Sequence, residues 1–194
     1  MSKLVDGYLP ELDKRLPYDP AAARALLKEA GYPNGFGVTL DCVNVTYRAA
    51  VCQAIAAMLA QVGIRATYQP SPSATFFPKL TQATTSFFEF GWSPGTDPWA
   101  LFNSILRTHD GAVAGTFNGG RYSNAELDEQ IDAIRVEPDI GKRRRRTGDV
   151  LRLVAADLPL VPLYRRTLTW VMRPGIHASP WPNDVLELRW VRID

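Results

Sequence analysis

The order strand, helix, strand across residues 38–68 limits what this chain can fold into more than any other feature. Val38 to Val43 is an apolar run with the length of a strand. Tyr47 to Val62 follows as a helix. Val51, Ile55, Met58, Leu59 and Val62 recur at helical spacing, and Gly63 stops it. Ile64 to Tyr68 reads as a second strand. Two neighbouring strands joined through a helix run parallel, with a right-handed crossover. The chain is therefore expected to be α/β, a mixed sheet flanked by helices.

The flanking segments extend that pattern. Asp19-Pro20 supplies an N-cap and a first helical residue, Ala23, Leu26, Leu27 and Ala30 form a stripe, and Gly31 ends the helix. A short helix over 73–82, interrupted by Pro78, precedes a third strand from Thr85 to Gly91. A helix opens at Asp97-Pro98 and runs to Arg107, and a glycine-rich loop covers 108–121. Ser123-Asn124-Ala125-Glu126 is a capping box before a helix whose stripe is Leu127, Ile131 and Ile134. Asp139 caps a further helix to about Ala156, with Val150, Leu151 and Val154 inward. Leu160 to Tyr164, Thr167 to Met172 and Val185 to Ile193 read as strands, with Pro-rich residues 174–182 before the last. Residues 1–17 read as a lead-in rather than core.

Residues 86–103 hold the candidate site. The apolar run Phe87 to Phe90 breaks at Gly91-Trp92, and the turn Ser93-Pro94-Gly95-Thr96 follows. In open α/β sheets, ligands sit at loops beyond the carboxyl ends of strands. A tryptophan there reads either as a ligand-facing side chain or as core filling for an ordinary connection. Stacking on a ligand is expected for Trp92, and packing for Trp170 and Trp190 in their strands.

Composition excludes several function classes. The 194 residues carry 22 basic and 20 acidic side chains, a net charge of +2. That balance gives no electrostatic case for nucleic acid or an anionic membrane. The run Lys142-Arg143-Arg144-Arg145-Arg146 spreads around a helix and reads as a solvated face. No segment approaches the ~20 apolar residues of a membrane span. Asp6, Glu11, Asp13, Lys14 and Arg15 make the first 20 residues unlike a signal peptide, so an export signal is expected outside this sequence. Two histidines and two cysteines lack zinc spacing, and no metal or cofactor is expected. Cys42 and Cys52 are open to a disulfide, but two buried thiols are favoured.

Gly91-Trp92-Ser93-Pro94-Gly95 formally matches the nucleophile elbow of serine hydrolases. That motif needs an N–H from the residue after the serine, and Pro94 has none. His109 and His177 are the only candidate bases. An enzyme using Ser93 is therefore the weaker alternative.

Several short motifs in order carry a resemblance. They are Tyr18-Asp19-Pro20, then Ala25-Leu26-Leu27-Lys28-Glu29-Ala30-Gly31-Tyr32-Pro33-Asn34-Gly35-Phe36, and Gln53 to Leu59 with Gly63-Ile64. Gly91-Trp92 with Asp97-Pro98, Tyr122-Ser123-Asn124 with Asp128, and Leu158 to Tyr164 complete the set. In these the chain resembles the family 5 solute-binding proteins of bacterial ABC importers, the dipeptide-, oligopeptide- and nickel-binding type. The resemblance implies a periplasmic-binding-protein type II-like lobe, one of two that close on a solute. Residues 1–17 would lead in, 18–166 would form the C-terminal lobe, and 167–194 would return to an N-terminal lobe absent here. It implies a binding protein rather than an enzyme, located in the periplasm or at the cell-envelope exterior. Its partners would be a peptide or small solute and the permease subunits, with membrane contact only through the transporter. A regulatory domain reusing the fold is a further alternative.

The resemblance also implies a site. In peptide-binding relatives the Gly-Trp-x backbone pairs with the ligand, which corresponds here to Gly91, Trp92 and Ser93. Tyr47, Arg48, Asp97 and Asn118 are further candidate contacts, with a helix-capping role competing for Asp97. The acidic anchor of those relatives falls on Gly95, and Arg48 is only the nearest match to their carboxylate-holding arginine. A longer peptide held by its backbone, or another small solute, therefore fits better than a charged dipeptide.

Overall fold

The computed structural model describes residues 5–93, 95, 97–181 and 185–194. The first four residues of the lead-in, Pro94 and Thr96 of the turn, and Pro182 of the Pro-rich connection lie outside them. The chain forms two compact units. One comprises Lys14–Gly91 and Thr108–Ser123; the other comprises Met1–Asp13, Trp92–Arg107 and Asn124–Asp194.

The first unit contains the strand–helix–strand core. Helix α1 (Pro20–Glu29) starts where expected, with Asp19 accepting the N–H groups of Ala21 and Ala22 at 3.0 and 2.9 Å. None of its residues is buried, and Leu26 is exposed, so its apolar stripe caps no core. Strand β1 (Gly37–Val43), helix α2 (Thr46–Ala60) and strand β2 (Arg65–Ser71) follow. The strands pair in parallel from Gly37↔Arg65 to Val43↔Ser71, as the crossover requires. The buried residue of α2 is Cys52, with Ile55 beside it, while Met58 is 49% exposed. The stripe read from the sequence holds at Val51, Ile55, Leu59 and Val62, which are half-buried, and fails at Met58. Cys42 and Cys52 form a disulfide rather than two thiols.

Helix α3 (Ser73–Thr81) runs through Pro78. The expected third strand shrinks to a single parallel bridge, Asp41↔Phe88. The Asp41 N–H donates to Phe87 O and the Glu89 N–H donates to Asp41 O, both at 3.0 Å. Side chains hold this segment more than backbone bonds do. Phe87 packs with Leu40, Cys42 and Cys52 on one face of β1, and Phe88 and Phe90 pack with Val43, Phe76 and Leu80 on the other. Burial on both faces gives the apolar density of a strand without its ladder.

The second unit is mainly helical: α4 (Trp99–Ile105), α5 (Ala125–Val136) and α6 (Ile140–Asp157). Leu127, Ile131 and Ile134 of α5 are fully buried, and α5 packs on α4 and α6. The cap of α5 is Asn124, whose side chain accepts the Leu127 N–H at 3.1 Å. The expected capping box at Ser123 is therefore displaced by one residue, because an Asn side chain serves the same role. Asp139 caps α6 through the Lys142 N–H at 2.7 Å.

Residues 5–13 are more than a lead-in. Val5 is buried, and three acids fasten the segment to basic side chains in or just beyond α6. Asp6 meets Arg144 at 2.6 Å, Glu11 meets Arg152 at 3.3 Å, and Asp13 takes both terminal nitrogens of Arg165 at 2.8 and 2.7 Å. Arg165 and the Tyr8 hydroxyl together hold the Asp13 carboxyl down to about 2. A carboxylate depressed in the folded state stabilises it fully above the ordinary value near 3.8 and loses that contribution as pH falls through about 2. A carboxyl-carbon NMR titration is expected to place the Asp13 midpoint near 2, and to move it back toward the ordinary value in Arg165→Met, where the Tyr8 hydroxyl still lowers it. An unshifted midpoint in the parent chain would contradict the bidentate pair.

After α6 the strand expectations mostly fail. Leu160 to Tyr164 and Thr167 to Met172 form no strand, and Val185 to Ile193 reduces to β4 (Arg192–Ile193), antiparallel to β3 (Ile176–His177). Trp170 and Trp190 are 39% and 58% exposed rather than packed. An alternating segment becomes a strand only when another edge receives it.

Candidate functional site

The carboxyl end of β1, the first turn of α2 and the segment ending at Gly91 meet in the first unit. Parallel pairing puts the exits of neighbouring segments at one end. Strand alternation then turns Glu89 to the same face as Phe87, toward α2. There the Arg48 guanidinium, in the first turn of α2, donates from Nη1 to Glu89 Oε2 at 2.7 Å. The two side chains are 16% and 6% exposed. Arg48 Nε also donates to the Tyr47 hydroxyl at 3.2 Å, and the guanidinium carbon lies 5.6 Å from the Tyr47 ring centroid. Desolvation opposes the Arg48 charge, but Tyr47 and Glu89 outweigh it, and its pKa rises above the ordinary arginine value.

Gly91 completes this cluster. A β-carbon placed on it would lie 2.3 Å from Arg48 Nη2 and 3.3 Å from the guanidinium carbon. Only a glycine lets the cation lie against the backbone here. On the opposite face a second buried carboxylate, Asp41, takes the ammonium of Lys79 at 2.7 Å. The first pair joins α2 to the segment ending at Gly91 and the second joins α3 to β1, and each holds a carboxylate buried enough that losing its cation would be costly. Beside them Phe90 and Phe117 stack at 6.0 Å, with Phe77 edge-on to both at 6.2 and 6.3 Å.

Tyr47, Arg48 and Gly91 are thus brought together. Asn118, in the same unit, is buried. Its amide donates to Tyr122 O at 2.7 Å and accepts the Tyr122 N–H at 3.0 Å, which closes the loop it sits in. Trp92 is half-buried and Ser93 exposed. Asp97 accepts the Trp99 N–H at 2.9 Å, a capping role, and its other oxygen pairs with Arg143. An open depression of about 320 Å³ is lined by Asp6, Asp97, Pro98, Arg143 and Thr147 in the second unit.

Glu89 was not legible as a site residue from the motifs. The available signal was a lone carboxylate inside the run Phe87-Phe88-Glu89-Phe90, where burial demands a cation. Both candidate bases for Ser93 have other partners. His109 Nδ1 lies 3.1 Å from Ala114 O, and His177 Nε2 lies 2.8 Å from Asp194. Among the described residues no cluster of three or more His, Cys, Asp or Glu could hold a metal ion, and no helix is long and apolar enough to cross a membrane.

Residues 1–112 match the sequence model described as bacterial extracellular solute-binding proteins, family 5 Middle. The glutathione-binding protein GsiB of Escherichia coli (strain K12) is 32% identical over 158 residues, which is 77% of this chain and 30% of that protein. The chain therefore spans about a third of the length of the curated relatives it matches. Among solved structures, MoaA of A. tumefaciens R10 in complex with mannopinic acid superposes with a TM-score of 0.81 at 22% identity, over 99% of this chain and 40% of that one. AgaA from the same source, in complex with agropinic acid, gives 0.73 at 26% identity, over 83% and 33%. DppA of Helicobacter pylori in complex with the peptide STSA gives 0.72 at 23% identity, over 82% and 32%.

Proposed function

The chain belongs to the bacterial extracellular solute-binding proteins of family 5, and from that membership we propose that it is part of the receptor of an ABC importer, taking up an oligopeptide or another small solute and delivering it to the permease. Its α/β architecture is that of the type II periplasmic binding proteins. The family match over residues 1–112 is the observation that carries the reading. Relatives that bind glutathione, a peptide or an opine acid support a solute of that size rather than a macromolecule.

A second lobe, supplied by the rest of a longer polypeptide, covers the solute, and closure is a population shift driven by contacts to both lobes. The exposed apolar side chains Val171, Leu188 and Ile193 support a covering partner for the terminal segment. Gly91 and Ser93 are assigned backbone hydrogen bonds to the solute, and Trp92 stacking on it. Tyr47, Arg48, Asp97 and Asn118 are secondary contacts, of which Asp97 and Asn118 also have the structural roles described above. The periplasm or cell-envelope exterior is the location, and the Cys42–Cys52 bond supports it, since disulfides persist in oxidising compartments.

Mass spectrometry of solute released from the natively purified full-length protein tests the assignment. The expected result is one small molecule or peptide family near equimolar amount, reduced in Trp92→Ala. A preparation that carries no solute, and whose melting temperature no peptide or opine raises, would overturn it.

A further inference from the structure

We propose that Glu89 sets the charge preference of the Gly91 wall: by neutralising Arg48 it makes this wall favour an uncharged part of the solute over an anionic one. The inference deepens the solute-binding reading and rests on it for the word solute, but the charge assignment itself stands on the first unit alone. Arg48 lies against Gly91 so closely that no β-carbon fits between them. Its Nη1 is bound to Glu89 at 2.7 Å and its Nε to Tyr47 at 3.2 Å, so the cation is matched before any ligand arrives. The Glu89 side chain is 6% exposed and that of Arg48 16%, so the pair sits where water screens it little.

A group approaching the exposed Gly91 backbone therefore meets a neutral surface with hydrogen-bonding edges. An incoming carboxylate gains little from a guanidinium that already holds one, and it meets the Glu89 charge close by. An amide or hydroxyl carries no such penalty. The wall thus favours the middle of a peptide, or a neutral portion of another solute, over a free carboxyl terminus. Glu89 acts through Arg48 and is a positioning residue; its removal leaves a shielded cation that recruits an anion instead.

The test uses the full-length protein, labelled with 15N-glycine, with sulfate as the probe. In the parent protein the Gly91 amide is expected not to move with sulfate at constant ionic strength. In Glu89→Gln it is expected to titrate with sulfate, at an affinity about tenfold or more above the weakest the parent titration would detect, the size of one charge-assisted hydrogen bond. Glu89→Asp keeps the charge and is expected to restore the parent behaviour, a rescue that a purely structural role would not give. A sulfate-dependent Gly91 shift in the parent overturns the proposal even if Glu89→Gln fails to fold. A folded Glu89→Gln protein that gains no sulfate response overturns it as well. A protein that carries no solute yet shows the gain fails the transport reading and leaves the charge assignment standing.

Discussion

Gly35→Ala is expected to destabilise the fold by on the order of 3 kcal/mol, through a clash that no side-chain movement can relieve. Gly35 has φ +68°, and a β-carbon on it would lie 1.9 Å from the carbonyl oxygen of Gly63. Both partners are backbone. The contact lies where β1 and β2 begin, and the Arg65 N–H donates to Phe36 O at 2.8 Å immediately beyond it. Separating the two glycines pulls on that bond and on the first rungs of the parallel pair. Gly31 is the control. Its φ is +88°, but nothing lies within 4 Å of its added β-carbon, so Gly31→Ala is expected to lose only the conformational part, about 1 kcal/mol. Urea unfolding of both variants reads the difference. Equal losses would show that conformation, not the backbone contact, dominates at Gly35.

Loss of the Cys42–Cys52 bond is expected to lower stability by about 3 kcal/mol. The two residues are separated by 10 positions and tie the end of β1 to the second turn of α2. Both are fully buried among Leu40, Ile55 and Phe87. The double variant Cys42→Ala with Cys52→Ala should fall in urea midpoint, and the parent should fall by a similar amount under reductant while the variant does not respond. A parent protein that unfolds identically with and without reductant would show that the bond is absent in solution. Because the sulfurs are shielded, reduction should be slow until the chain opens, so the reductant effect should grow with denaturant.

The parts of this fold that local chemistry determines were legible in the sequence. Asp19 and Asp139 announce their helices because a cap acts within three residues. The parallel pair follows from the chain order around α2, and Leu127, Ile131 and Ile134 mark one helix face by spacing alone. What failed depended on partners distant in sequence. The alternating residues beyond Leu160 have strand composition but no receiving edge among the described residues. The stripe of α2 was misjudged only at Met58, which is 49% exposed. At the site, Gly91 and Trp92 stood out by resemblance, whereas Glu89 gained meaning only once Arg48 was placed opposite it. An isolated carboxylate in a phenylalanine run states a need for a cation without saying where the cation comes from.

The fastening of residues 5–13 bears on how this protein is cut for laboratory work. A shorter version beginning at α1 would discard Asp6, Glu11 and Asp13, so that Arg144 and Arg165 would lose these carboxylates and Arg152 would lose Glu11 while keeping Asp149. Such a trimmed protein would adhere to polyanions in a salt-sensitive way. Retention on heparin or a shifted DNA band would then report the excision, not a biological affinity.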